Sequence, residues 1–277
     1  MGNKLIEVLS GLTTHSQEVT PGIVLLEFTI VNACLIQINN SSTGNWVLVD
    51  TGLENSADYI IQTAEKYFGK DNPPKAIFLT HGHFDHVGSV KKLAALWDVP
   101  VYIHSLELPY ITGKKDYPMG DPTVDEGLVA KMSPGFPHSG IDITSHAAAL
   151  PSGGKLPFVP DWIWIPTPGH TEGHVSLFRK KDGIMIVGDA FTTLRQESLL
   201  SMFTQKEQIG GPPKYFTFDW KTAETSLKTL RDLNPSLAIP SHGQPMHGTE
   251  LRHHLEFLAN HFKEIALPED ESFASLR

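Results

Sequence analysis

The sequence has only one cysteine, a shortage of basic residues and no long apolar run. Cys34 alone cannot form a disulfide within the chain or a zinc site built from several cysteines, and its apolar surroundings indicate a core residue. The 22 lysines and arginines stand against 31 acidic residues, which gives a formal net charge of −9. Nucleic acids and anionic membranes attract basic surfaces, so neither is expected as a partner. A small-molecule substrate is expected instead.

The first ten residues contain neither a long apolar core nor a small-residue cleavage site, which argues against a signal peptide. No apolar run approaches the roughly 20 residues that cross a bilayer. The expected location is therefore the cytoplasm. With 40% hydrophobic and 19% charged residues the composition is ordinary for a globular protein, and 277 residues can form one or two domains. Nothing in the sequence indicates an oligomeric state.

A histidine-rich stretch, residues 80–88 (THGHFDHVG), carries the strongest chemical signal in the sequence. It follows a short apolar run that is typical of a buried strand, so the stretch is expected to begin where a strand ends. Three imidazoles and one carboxylate occur within six residues: His81, His83, Asp85 and His86. Imidazole nitrogen and carboxylate oxygen are suitable ligands for a borderline cation such as zinc. The stretch therefore predicts a metal site.

Three later turns supply further histidine or aspartate side chains. Each turn follows a predicted strand, and the turns are 167–170 (TPGH), 187–190 (VGDA) and 240–243 (PSHG). They place His170, Asp189 and His242 in the same context as the first cluster, at the end of a strand where a rigid scaffold positions functional groups. Together with the first four residues they make seven candidate ligands, which is the number that two adjacent metal ions require.

The order of the predicted elements indicates a mixed α/β (α+β) fold. In the first half, strands are expected at 4–10, 22–30, 33–38, 46–50, 76–79 and 99–103, and helices at 55–68 and 88–97. In the second half, strands are expected at 162–166, 175–179, 184–188 and 236–239, and helices at 220–233 and 249–262. This pattern predicts a four-layer αββα sandwich, two sheets face to face with helices outside each, as a single domain over residues 1–277. Two irregular insertions, 105–160 with short helices at 105–111 and 124–132, and 190–218, are interpreted as substrate-side segments.

With these four motifs in this order, the sequence resembles the metallo-β-lactamase superfamily over residues 20–248. The resemblance implies one metal ion held by His81, His83 and His170, a second held by Asp85, His86 and His242, and Asp189 bridging both. It also implies that Asp50, in the turn after its strand, braces the metal-binding loops through hydrogen bonds, and His174 is a candidate for a similar role. The expected cofactors are two divalent metal ions, zinc first, with manganese or iron as alternatives. The other eight histidines are interpreted as structural or surface residues, with His104 and His247 as candidates for contact with the site.

Two adjacent divalent cations lower the pKa of a shared water molecule and generate a hydroxide nucleophile. The expected function is therefore a dinuclear metal-dependent hydrolase, in which Asp85 orients a metal-bridging hydroxide and shuttles its proton. The chain resembles the lactonases and the glyoxalase II-like thioesterases of the superfamily, which favours a small ester, lactone or thioester as substrate. Where the lactonases carry a tyrosine shortly after the bridging aspartate, this chain has Phe191. Phe191, Tyr215 and Phe216 are the candidate substrate-binding residues.

Other reactions within the same superfamily are alternatives. A phosphodiesterase would use the same seven ligands at a phosphorus centre, although the acidic charge counts against a nucleic-acid substrate. An oxidoreductase resembling the persulfide dioxygenases would bind one iron at a subset of these positions. An exported β-lactamase is disfavoured, because several of those enzymes use a cysteine ligand where this chain has an aspartate.

Overall fold

The structure is a computed structural model that describes residues 14–38, 45–125, 127–193 and 209–268. The chain divides into two compact units. The first unit comprises Met1–Tyr117 and Pro137–Pro160, and the second comprises Pro118–Phe136 and Asp161–Arg277. Each unit contains one β-sheet, of seven and five strands respectively, together with helices. The predicted mixed α/β fold with two sheets is confirmed, whereas the single domain over 1–277 stays a prediction.

The sheet of the first unit has its seven strands side by side in chain order. The strands are β1 (His15–Thr20), β2 (Ile23–Glu27), β3 (Asn32–Gln37), β4 (Trp46–Val49), β5 (Ile77–Phe78), β6 (Val101–Ile103) and β7 (Ala147–Ala149). β1 to β4 form an antiparallel meander, and β4 to β7 run parallel to one another. The predicted strand at 4–10 lies outside the described residues. β1 and β7 were not predicted, because neither shows the apolar alternation that marks a strand.

Within the described residues, four helices belong to the first unit. They are α1 (Ala57–Phe68), α2 (Phe84–Val87), α3 (Val90–Trp97) and α4 (Leu108–Ile111). The Trp46 ring on β4 stacks on Phe68 at 5.1 Å between centroids and meets Trp97 edge-on at 5.6 Å. The carboxyl ends of α1 and α3 are thereby packed on the centre of the sheet through the buried Trp46 ring and the partly buried Phe68 and Trp97 rings, which stabilises this layer.

The sheet of the second unit has the strand order β12-β11-β10-β9-β8. Its strands are β8 (Trp162–Pro166), β9 (Val175–Arg179), β10 (Ile184–Gly188), β11 (Leu237–Pro240) and β12 (Met246–His247). Only the β10–β11 pair is parallel, and the other neighbours are antiparallel. The bounds predicted from the sequence for β8, β9 and β10 agree with those of the structure.

Four helices of the described residues belong to the second unit. They are α5 (Leu128–Met132), α6 (Trp220–Asp232), α7 (Gly248–Asn260) and α8 (Phe262–Ile265). Leu227 on α6 and Leu255 on α7 are buried in one apolar cluster with Met185 and Val187 of β10. Asp219 caps α6 by accepting a hydrogen bond from the backbone N–H of Thr222 at 3.0 Å, and the Thr222 hydroxyl bond lowers the pKa of that carboxyl. Among the described residues, no helix combines the length and the apolar character that a membrane span needs.

Candidate metal-binding residues

In the first unit, strand direction gathers the predicted ligands at one edge of the sheet. β4, β5 and β6 are parallel, so their carboxyl ends meet at the same edge. Asp50 follows β4, and the stretch from Thr80 to His86 follows β5. The prediction that this stretch begins at a strand end agrees with the structure.

Asp50 ties the histidine-rich loop to the end of β4. Its backbone has a φ of 58°, in the left-handed region, which turns the side chain back toward the loop. One carboxylate oxygen accepts the backbone N–H of Thr80 at 2.8 Å, and the other accepts the Thr80 hydroxyl at 2.9 Å. The backbone carbonyl of His86 accepts two bonds from Thr51, one from its N–H and one from its hydroxyl, each of 2.8 Å. The loop is thus held at both ends by hydrogen bonds, to Asp50 at Thr80 and from Thr51 at His86, and the bracing role assigned to Asp50 stays a prediction.

These hydrogen bonds also select the tautomers of two histidines. His86 Nδ1 lies 2.9 Å from Asp50 Oδ2, so Nδ1 carries the proton and Nε2 keeps its lone pair. Because the Thr80 hydroxyl donates to Asp50, the same oxygen accepts from His81 Nδ1 at 3.1 Å. His81 Nε2 is then also available as a ligand. It faces His83 Nδ1 at 2.9 Å, a separation at which two imidazole nitrogens share either a proton or a cation.

Asp85 and His86 lie in the short helix α2, which directly follows His83 in the sequence. Asp85 Oδ1 is 3.9 Å from His86 Nε2, and both side chains are almost completely buried. The ligand atoms of His81 and His86 lie within 4.8 Å of each other. A buried carboxylate among imidazoles is costly unless a cation or hydrogen bonds compensate it, which fits the predicted metal role.

In the second unit, strand direction again brings three predicted ligands to one edge. β8 and β10 are both antiparallel to β9, so they run in the same direction, and β11 is parallel to β10. His170, Asp189 and His242 follow the carboxyl ends of β8, β10 and β11. They therefore emerge at the same edge of the sheet.

Asp189 is the point at which the three side chains meet. Its Oδ2 lies 3.2 Å from His170 Nε2 and 3.3 Å from His242 Nε2. All three residues are at most 3% exposed. The turn that carries His170 requires Gly169, because its φ is 131° and a Cβ there would lie 2.5 Å from the backbone of Ala223.

Thr217 was not predicted, yet it orients His170. Its hydroxyl donates to the carbonyl of Pro213 at 2.7 Å, so its oxygen accepts from His170 Nδ1 at 3.1 Å. This leaves Nε2 of His170 as the acceptor nitrogen that faces Asp189. The two residues are 47 positions apart, and no local pattern in the sequence links them.

His174 positions Asp189 through the main chain. Its Nδ1 lies 2.8 Å from the hydroxyl and 3.1 Å from the carbonyl of Thr167, and its Nε2 accepts the backbone N–H of Asp189 at 2.8 Å. A histidine that donates from Nδ1 and accepts at Nε2 is a fixed neutral imidazole. His174 therefore holds the backbone of one predicted ligand.

The predicted substrate-binding residues lie in different environments. Phe191 has no exposed surface and packs in the core of the second unit. Tyr215 and Phe216 are partly buried in a 3-10 turn (Lys214–Phe216), where Phe136 lies 5.8 Å and 6.3 Å from their ring centroids. The part played by each of these residues in substrate binding stays a prediction.

The two additional histidine candidates, His104 and His247, lie in different environments. His247 is exposed and pairs with Leu237 at the start of β11, whereas His242 follows the other end of that strand. His104 is partly buried after β6, and burial lowers the pKa of its imidazole. Its ring nitrogen accepts a bond from the backbone of Leu106, at 3.4 Å.

The donor chemistry fits divalent transition metals in both units. The predicted ligands are imidazole nitrogens and carboxylate oxygens, which suit zinc, iron and manganese. A thiolate ligand is not offered by Cys34, because burial, and secondarily the charge of Asp50, raises the pKa of its thiol. The chain therefore offers a nitrogen and oxygen ligand set.

Comparison with known proteins gives one consistent result. The sequence model of the metallo-β-lactamase superfamily matches residues 26–242. The probable metallo-hydrolase YflN of Bacillus subtilis (strain 168) is 46% identical over 248 residues, which cover 90% of this chain and 94% of that protein. The crystal structure of TTHA1623 in a di-iron-bound form is 25% identical, with a TM-score of 0.55, and the match covers 88% of this chain and 96% of that one. The BLEG-1 B3 metallo-β-lactamase, at 22% identity and a TM-score of 0.58 over 89% of this chain and 99% of that one, shares the fold.

Proposed function

The chain belongs to the metallo-β-lactamase superfamily, and on that premise we propose that it is a metal-dependent hydrolase of small esters, lactones or thioesters. The observation that carries the proposal is the convergence of two imidazole Nε2 atoms on one buried carboxylate oxygen, Asp189 Oδ2, at 3.2 Å and 3.3 Å. Such a group is expensive to bury unless it binds a cation. Its relative YflN, a probable metallo-hydrolase, supports the same reaction class.

The metal-binding roles follow from the resemblance. We assign one ion to His81, His83 and His170, the other to Asp85, His86 and His242, and Asp189 to both. The tautomers derived above support these roles, since His81, His86 and His170 each present Nε2 as an acceptor. Zinc is the expected metal. When bound, divalent ions supply Lewis acidity and lower the pKa of a coordinated water molecule.

Asp85 is the residue to which we assign proton transfer. A carboxylate accepts a proton from an attacking water and returns it to a leaving group, provided that it stands within hydrogen-bond reach of both. Asp85 keeps 8% of its surface exposed, whereas its neighbour His86 keeps none. His86 is further fixed by Asp50, so it is suited to holding a ligand position rather than to relaying protons.

Aromatic side chains of the second unit supply an apolar surface for the acyl group. Tyr215 and Phe216 contact Phe136, and Phe218, two residues on, is 54% exposed. Thr217, which lies between Phe216 and Phe218 in the sequence, is the hydrogen-bond partner of His170. This aromatic segment is therefore directly linked to a predicted ligand. Partly buried aromatic rings favour an apolar acyl chain over an anionic group.

An iron-dependent oxidoreductase is the second candidate. The observation that favours it is the similarity to TTHA1623, whose crystal structure is described as di-iron-bound. Iron accepts the same imidazole and carboxylate ligands as zinc. The metal that co-purifies with the protein, and the reaction that this metal supports, decide between the two candidates.

Chelation is expected to abolish the activity. Purified protein should contain about two transition-metal ions per chain, and dialysis against a strong chelator should remove them together with the hydrolysis of p-nitrophenyl acetate. Added zinc or manganese should restore the activity. Elemental analysis by mass spectrometry measures the metal, and an assay of the same samples measures the rate.

The rate of p-nitrophenyl acetate hydrolysis is compared with the rates of hydrolysis of a thioester, a lactone, a phosphodiester and a cephalosporin, each measured at the same metal content of the protein. Faster hydrolysis of the phosphodiester than of every carboxylic ester would contradict the proposed substrate class. A protein that contains iron alone and hydrolyses none of the substrates would favour the second candidate. Activity that survives complete removal of metal would refute both.

A further inference from the structure

A buried carboxylate and phenol lie beside the histidine-rich loop, and neither is accounted for by the proposed metal ligands. Glu107 follows β6, at the same sheet edge as the carboxyl ends of β4 and β5, and it has no exposed surface. Tyr117, ten residues on, is 6% exposed and donates its hydroxyl to Glu107 Oε2. We propose that Glu107 and Tyr117 are positioning residues that set His81 and His83 for metal binding. This inference rests on the proposed metal-dependent function.

The contact between the pair and the loop is made at Gly82, between the two histidines. Its backbone N–H lies 3.1 Å from Glu107 Oε2 and 3.0 Å from the Tyr117 hydroxyl oxygen, so it donates to both acceptors. The pair therefore fixes the peptide that joins His81 to His83. Fixing that peptide limits the rotation of both imidazoles, which is the effect expected of groups behind metal ligands.

The phenol ring also supports the second histidine directly. The Tyr117 ring centroid lies 4.5 Å from that of His83, with the planes tilted by 57°. Tyr110 stacks on the other side of Tyr117 at 3.9 Å, nearly parallel. His83 thus rests on a short column of aromatic rings that keeps it from turning away from His81.

The same phenol explains why residue 82 is glycine. A Cβ at this position would lie 2.5 Å from the Tyr117 hydroxyl oxygen, but no closer than 3.4 Å to the ring carbons. The steric conflict therefore resides in the hydroxyl alone. This gives a reciprocal prediction, because removing the hydroxyl should make room for alanine.

Two variants test the inference through metal affinity. In Tyr117→Phe and Glu107→Gln, zinc affinity is expected to fall about 10- to 100-fold, as is usual when a group behind a metal ligand is lost. The affinity is measured by competition with a chromophoric chelator. The absorption spectrum of the cobalt-substituted protein, which reports ligand geometry, is expected to change as well. Tyr59→Phe is the matched control, since it removes the hydroxyl of a partly buried tyrosine on α1, outside this column of rings, and should leave both measurements unchanged.

A double variant separates positioning from folding. Gly82→Ala is expected to weaken zinc binding at least as much as Tyr117→Phe, and adding Tyr117→Phe to Gly82→Ala should recover part of the lost affinity. Unchanged zinc affinity and cobalt spectrum in both Tyr117→Phe and Glu107→Gln, with the thermal midpoint alone lowered, would overturn the inference. Wild-type protein that binds no metal would instead overturn the proposed function on which the inference rests.

Discussion

Asp189→Ala is expected to lose most of the bound metal and at least about 10³-fold in hydrolytic rate, because metal ions contribute several kcal/mol to the transition state. Asp189 Oδ2 is the atom on which His170 and His242 converge, at 3.2 Å and 3.3 Å. Without it the two histidines retain their positions, since Thr217 and the main chain hold them, but they lose their shared anionic partner. Elemental analysis and the ester assay on the same preparation measure both losses.

Asp161→Ala is the matched control for Asp189→Ala. Asp161 belongs to the same unit but precedes β8, at the opposite end of that strand from His170, and it pairs with the exposed Lys181. Its removal should leave metal content and rate within about twofold of wild type, as exposed ion pairs contribute little. Full metal content in Asp189→Ala would show that the assignment of this residue is wrong.

Asp85→Asn is expected to lower kcat by about 10²- to 10⁴-fold, the usual contribution of general acid–base catalysis. Asparagine keeps the shape and can still offer an oxygen, but it cannot take up a proton. The fold decrease in kcat should therefore exceed the fold decrease in bound metal. Because the reaction would then rely on solvent for proton transfer, the remaining rate should rise with added small buffer bases.

Asp58→Asn serves as the control in the first unit, because Asp58 is 74% exposed at its side chain and pairs with Lys92 on the surface. Its rate should equal that of wild type. If Asp85→Asn lost metal and activity in equal proportion, and buffer bases had no effect, Asp85 would be a ligand only. Proton transfer would then have to be assigned to another group.

The sequence predicted the ligand-bearing strand ends because two local signals coincide there. β8, β9 and β10 are short runs rich in branched aliphatic and aromatic residues and bounded by turns, and their bounds agree with the prediction. A histidine or aspartate directly after such a run is fixed at the edge of the sheet. Strands that run in the same direction end at the same edge of the sheet. Motifs that are far apart in the sequence therefore meet within a unit.

The parts that escaped prediction lack a local signal. β1 is made almost entirely of polar residues and β7 consists of three alanines, so neither shows the alternation of apolar and polar residues that marks a strand. Thr217 and Glu107 were missed for a different reason, since an isolated threonine or glutamate gains its role only through a partner 47 or 25 residues away. Such partners are set by tertiary packing.

The link from Thr217 to His170 has a consequence for the evolution of specificity. The threonine directly follows the aromatic turn Lys214–Phe216, so any change that moves this turn also moves the acceptor that fixes the imidazole. Remodelling the turn to admit bulkier acyl groups would therefore also change the orientation of His170, a proposed metal ligand. Laboratory selection for new substrates should accumulate compensating changes near Pro213, whose carbonyl anchors the threonine hydroxyl.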